Sequence, residues 1–130
     1  LVANEKVEGS SPFARSILYM DELFKKKCVA CDGNTLPFDT SEIHKYLKKI
    51  DGWDVLKDKD ENYFIEKKFM FKDYISSEKF ILEVGKIAEQ ESHHPDISFG
   101  WGYAKIKIST HAIKGLAESD FILAAKVDEL

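Results

Sequence analysis

Apolar residues recur along this chain at two different spacings, and the places where the spacing changes mark its elements. Phe13, Ile17, Met20 and Phe24 follow one another at steps of three and four, which is the pattern of one helix face; Ser11 is placed to cap that helix and Pro12 to open it. The polar residues 1–10 ahead of it predict a mobile arm. Lys25 to Pro37 reads as a loop. Asp39-Thr40-Ser41-Glu42 then starts a second helix, with Ile43, Leu47 and Ile50 as its buried stripe and Gly52 as its stop. Trp53 to Lys57 and Tyr63 to Phe71 are strand-like, and the polar run Asp58 to Asn62 between them predicts an antiparallel hairpin. Helical spacing returns at Phe80, Ile81, Val84, Ile87 and Ala88. This gives a long helix from Tyr74 to Glu91, capped by Asp73 and stopped by His93-His94-Pro95. Asp96 to Gly100 reads as a loop. From Trp101 to Ser109 the pattern alternates, with Ala104, Ile106 and Ile108 on one side and Tyr103, Lys105 and Lys107 on the other. Carried onward, that alternation puts His111 on the polar side. A last helix from Glu118 holds Phe121, Ile122, Leu123, Val127 and Leu130.

Helix, strand, strand, helix, strand, helix is the order of an α+β fold, in which helices pack on one face of a small antiparallel sheet. Three strands are plain in the pattern and a fourth is not. So small a sheet leaves edges to be covered or paired, which points to a homodimer or homotetramer.

Composition narrows the class. The 130 residues make one domain of 14.9 kDa, and 44% hydrophobic residues suffice for a core. The net charge of −4 has the wrong sign for a nucleic-acid backbone binder. No run approaches the roughly 18 apolar residues of a membrane helix, and no charged-then-apolar leader is present. These features predict a cytoplasmic chain, with the nucleus left open as a second compartment. Val127-Asp128-Glu129-Leu130 is close to an endoplasmic-reticulum retention signal but reads here as the end of a helix. Cys28 and Cys31 form a C-x-x-C pair. Half a zinc site and a redox pair both lack their other requirements, so two free thiols in a polar loop is the preferred reading.

Three of the four histidines lie in the last third of the chain, in Glu89-Gln90-Glu91-Ser92-His93-His94-Pro95-Asp96 and at His111, with Asp120 downstream. Imidazoles exchange protons near neutral pH, and adjacent carboxylates fix their tautomer, so the set is equipped for acid–base chemistry. Adjacent His93 and His94 in extended chain would diverge, which disfavours chelation of one metal by both. The bland alternative stands beside this one: the pair ends a helix, and His111 pairs with a surface carboxylate. His44, among lysines, reads as solvated. No G-x-S-x-G turn, phosphate loop or dinucleotide fingerprint is present.

At these residues the chain resembles the pterin-4a-carbinolamine dehydratases, also known as dimerisation cofactors of a homeodomain transcription factor. The family pattern is an acidic residue, three residues, His-His-Pro, five or six residues, an aromatic, nine residues, His, then a downstream Asp. Glu89, His93-His94-Pro95, Trp101, His111 and Asp120 meet it. Gly52-Trp53, Phe71-Lys72-Asp73-Tyr74, Ser109-Thr110-His111 and Gly115-Leu116 extend the likeness, so that 36–130 would be the family domain and 1–35 an N-terminal extension. The resemblance implies a four-stranded antiparallel sheet with helices on one side, a dimer or tetramer, and loss of water from a 4a-hydroxytetrahydropterin in tetrahydrobiopterin recycling. It places His93, His94 and His111 around the reduced pterin, with Glu89 and Asp120 in support and Trp53, Pro95, Ser109 and Thr110 nearby. It implies no metal and no redox cofactor. A second role, as dimerisation cofactor for a protein partner, comes with the same likeness. Ala117 departs from the pattern, since a Ser or Thr is expected before the last helix; losing that cap costs about 1 kcal/mol.

Overall fold

The computed structural model describes residues 22–29 and 33–130. The arm over residues 1–10, the body of the helix expected from Pro12, and Cys31 lie outside them. Leu23–Lys25 form one turn of 3-10 helix, with Leu23 buried in the core and Phe24 packed against it.

Helix α1 (Thr40–Leu47) begins at a capping box: the Glu42 N–H donates to Asp39 Oδ1 at 2.8 Å, and the Asp39 N–H donates back to Glu42 Oε1. It buries Ile43 and ends at Leu47, ahead of the stop expected at Gly52. The Lys49 and Ile50 N–H groups take i−3 carbonyls and tighten the chain into turns. Gly52 then reverses direction at φ +80, a conformation that costs glycine little.

Strands β1 (Asp54–Lys57) and β2 (Tyr63–Met70) form the expected hairpin, in register from Asp54 opposite Glu66 to Lys57 opposite Tyr63. Asp58 builds its turn by accepting the N–H groups of Asp60 and Asn62. Helix α2 (Tyr74–Glu91) starts where Asp73 accepts the Ser76 N–H. It buries Ser77, Phe80, Val84 and Ala88 and ends with Ser92 left-handed at φ 51, where the His93 N–H reaches back to the Ala88 carbonyl.

The stretch from Asp96 to Gly100, expected as a loop, is strand β3, paired antiparallel with β4 (Tyr103–Ile108). Trp101, expected within a strand, stands 71% exposed in the turn between them. Gly102 allows that turn: it sits at φ +81, and a Cβ there would come 3.2 Å from the Phe71 carbonyl. The sheet order is β1-β2-β4-β3, antiparallel throughout. One face carries Ile65, Phe69, Ala104, Ile106 and Ile108, and the helices cover it. Helix α3 (Glu118–Asp128) lies deepest. Seven of its residues from Ser119 to Ala125 are buried without a break, so it is apolar nearly all round rather than along one stripe.

Candidate active site

The reversal at Ser92 brings two histidines out of α2 in succession, and they find different partners. His93 Nε2 lies 2.7 Å from Asp120 Oδ1, with the imidazole 15% exposed and the carboxylate fully buried. His94 Nε2 lies 2.8 Å from Glu89 Oε1, with both side chains mostly in solvent.

Asp120 belongs to the first turn of α3, and its other oxygen is also committed. Oδ2 accepts the Ala117 N–H at 2.8 Å and the Thr110 hydroxyl at 2.7 Å. The Ala117 side chain cannot accept a hydrogen bond, but Asp120 still takes its N–H and supplies half of a capping box. A buried carboxylate needs donors on both oxygens, and here they come from the start of α3, the end of the sheet and the end of α2. In the tautomer that donates Nε2–H to Asp120 Oδ1, Nδ1 of His93 is left for proton exchange.

Thr110 also locates His111. After β4, Thr110 and Gly115 exchange both backbone hydrogen bonds and enclose a single 3-10 turn, His111–Ile113. His111 opens that turn with its side chain exposed, one residue from the Thr110 hydroxyl that shares Asp120 with His93. The structure therefore links His93, Thr110 and Asp120 directly, and brings in His94 and His111 as chain neighbours of linked residues. Pro95 is half-buried just before β3, and Ser109 is half-buried at the end of β4. Trp53 is elsewhere. Its indole N–H donates to Asp128 at the far end of α3, about 12 Å along the helix from Asp120 at 1.5 Å per residue. There Asp128 also pairs with Lys67, and burial raises its carboxyl above its ordinary value.

One part of the site lacks any signature in the sequence. Residues 27–29 run beside His93 and help line a cavity of about 240 Å³ with Glu91, Ser92 and His93. The Cys28 N–H donates to Glu91 Oε1 at 2.8 Å. Burial pushes the Glu91 carboxyl up, but the Cys28 N–H and the Lys126 ammonium outweigh it and hold the group below its ordinary value. Burial, with the Glu91 charge adding to it, pushes the Cys28 thiol up to about 12, so the thiol stays protonated and donates to the Ser119 carbonyl. Among the described residues no group of three or more His, Cys, Asp or Glu side chains is arranged to hold a metal ion, and no helix is long and apolar enough to cross a membrane.

A family model described as pterin 4 alpha carbinolamine dehydratase matches residues 36–130. A provisionally named pterin-4-alpha-carbinolamine dehydratase of Azoarcus sp. (strain BH72) is 43% identical over 111 residues, 85% of this chain and 92% of that protein. One of the same name from Rubrobacter xylanophilus is also 43% identical, over 85% of this chain and all of that protein. Among solved structures, a transcriptional coactivator/pterin dehydratase from Brucella melitensis superposes with a TM-score of 0.65 at 27% identity, covering 72% of this chain and 96% of that one. A pterin dehydratase-like protein identified as a RuBisCO assembly factor in the alpha-carboxysome gives 0.52 at 25% identity, over 60% of this chain and 87% of that one.

Proposed function

The chain belongs to the pterin-4-alpha-carbinolamine dehydratase family, and from that premise we propose that it removes water from a 4a-hydroxytetrahydropterin, with His93, His94 and His111 as the catalytic groups. The observation that carries this reading is the buried Asp120 carboxylate, which joins the turn holding His93 and His94 to the turn holding His111.

The chemistry asks for two proton transfers. Hydroxide is a poor leaving group, so an imidazolium donates a proton to the C4a oxygen as the C4a–O bond breaks. A neutral imidazole removes the N5 proton, and that electron pair closes the C4a–N5 double bond. The products are water and a quinonoid dihydropterin, the form that enters tetrahydrobiopterin recycling. Oxidation state does not change, so no electron carrier takes part. Asp120 holds His93 with Nδ1 available, Glu89 offers His94 a looser, solvent-exposed partner, and the exposure of His94 and His111 leaves both open to a planar ring. Pro95, Ser109 and Thr110 shape the two turns.

Stopped-flow dehydration of a synthetic 4a-hydroxytetrahydropterin tests this. The unaltered protein should accelerate the reaction, and His94→Ala or His111→Ala should each lower the rate on the order of 10²–10⁴-fold. Equal rates for all three proteins would remove the catalytic assignment.

A specific surface favours a second role alongside the first. The outer side of α2 presents a groove lined by Ile81, Leu82, Gly85 and Lys86, and both Ile75 and Leu82 are more than half exposed. An unpartnered apolar helix face suits another helix, from further copies of this chain in a homodimer or homotetramer or from the dimerisation segment of a protein partner. Light scattering at micromolar concentration should give the mass of two or four chains. A single-chain mass, together with failure to retain a helical dimerisation segment, would exclude this role.

A further inference from the structure

The described residues ahead of the matched domain do more than cover the core. Three contacts tie Cys28 and Val29 to the two residues that flank the His93–Asp120 pair on the chain. The Cys28 N–H donates to Glu91, two residues before His93. The Val29 N–H donates to Ser119 Oγ at 2.9 Å, and Ser119 Oγ donates to the Val29 carbonyl at 2.9 Å. The Cys28 thiol reaches the Ser119 carbonyl, one residue before Asp120. Upstream, Leu23 is anchored in the core, Lys126 holds the Phe24 carbonyl, and Lys26 pairs with Glu118. The segment is thus fastened at one end to α3, and at the other it bridges the exit of α2 and the entrance of α3.

We propose that Glu91 and Ser119 are positioning residues, which use the strap of residues 22–29 to hold the turn bearing His93 against the turn bearing Asp120 and so set the alignment of His93 toward the substrate. The geometry is economical. His93 and Asp120 each sit at a helix terminus, where the backbone has fewer hydrogen bonds to fix it than mid-helix. One short segment crosses both termini, donating a hydrogen bond to Glu91 at the first and exchanging hydrogen bonds with Ser119 at the second. Burial agrees with that role, because the Glu91 side chain is 6% exposed and Ser119 is 4% exposed, and their side-chain polar atoms bond to Cys28, Lys126 and Val29. Since the strap also walls the 240 Å³ cavity beside His93, the part of a substrate that lies there meets residues 27–29.

The inference rests on the dehydratase reading for its kinetic consequences, so its test carries a second readout that does not depend on turnover. Ser119→Ala and Glu91→Ala should each lower kcat by about ten- to a hundredfold, with KM changing much less, at a temperature where both are folded. Glu91→Gln keeps an oxygen for the Cys28 N–H and should recover most of that loss. In parallel, hydrogen exchange at His93 Nε2, followed by NMR, should be slow in the unaltered protein and at least about tenfold faster in Ser119→Ala. Unchanged kcat together with unchanged exchange at His93 would overturn the strap. An unaltered protein with no dehydratase activity would sink the proposed function alone, and the exchange measurement would still decide the strap.

Discussion

Two imidazole–carboxylate pairs leave the same turn at nearly equal distances, 2.7 and 2.8 Å, and they are not equivalent. His93–Asp120 is buried, and its carboxylate takes two further donors. His94–Glu89 stands in water, 63% and 81% exposed. In the first pair the contact fixes an orientation, because each lost partner leaves a buried polar atom unsatisfied. In the second, solvent replaces either partner at little cost, and the contact is worth a fraction of a kcal/mol. Distance alone does not rank them; burial and the number of committed lone pairs do. His93 is held before substrate arrives, and His94 is ordered when something covers it.

The sharpest way to break that contrast is Asp120→Ala. It strands the Thr110 hydroxyl and the Ala117 N–H at about 1–3 kcal/mol each, so a loss of about 3 kcal/mol or more is expected in urea denaturation. Turnover should fall with it, on the order of 10²–10⁴-fold. Next is the pair of histidines. His93→Ala should cost about 1–3 kcal/mol by leaving Asp120 one donor short, whereas His94→Ala should stay within about 0.5 kcal/mol while still impairing turnover. Equal destabilisation by the two would erase the distinction. Thr110→Val, nearly the same in shape, isolates one hydroxyl and should cost about 1 kcal/mol. The smallest effect belongs to Glu89→Gln, with stability within about 0.5 kcal/mol of the parent.

The strap adds a pH dependence of known sign. The folded Cys28 thiol titrates at about 12 against an ordinary 9.0, so above the lower value the folded state holds a proton that the unfolded chain gives up. Its contribution is complete below pH 9.0 and lost as pH rises toward about 12. Denaturation midpoints of Cys28→Ala should therefore decline less steeply over that range than those of the parent.

Local signals made much of the fold legible. Asp39 and Asp73 do cap their helices, the hairpin turn does form at Asp58, and Ala104, Ile106 and Ile108 do face the core. What was missed lacked a local signal. Strand β3 offers only Ile97 and Phe99 between Pro95 and Gly100, and it forms because β4 is there to pair with it. Trp101 continues an alternation in the sequence, but Gly102 turns the chain beside it. His111 is exposed, as the alternation predicts, but it lies in a 3-10 turn beyond the end of β4, so the turn and not the strand sets its position. The pairing of His93 with Asp120 did not follow from periodicity; the ordered motif put both residues in one site without showing which groups touch. The strap was illegible, because the contact between Cys28 and Glu91 joins residues 63 apart and uses a backbone N–H, which no side-chain pattern records.

A crystal structure of the chain with a bound reduced pterin bears most directly on whether the three imidazoles serve one substrate. The ring should lie with its C4a–N5 edge within about 3.2 Å of nitrogens of His93, His94 or His111, with all three lining the same pocket. A ring bound away from the Asp120 cluster, or one that leaves His111 facing solvent on the far side of its turn, would contradict the account.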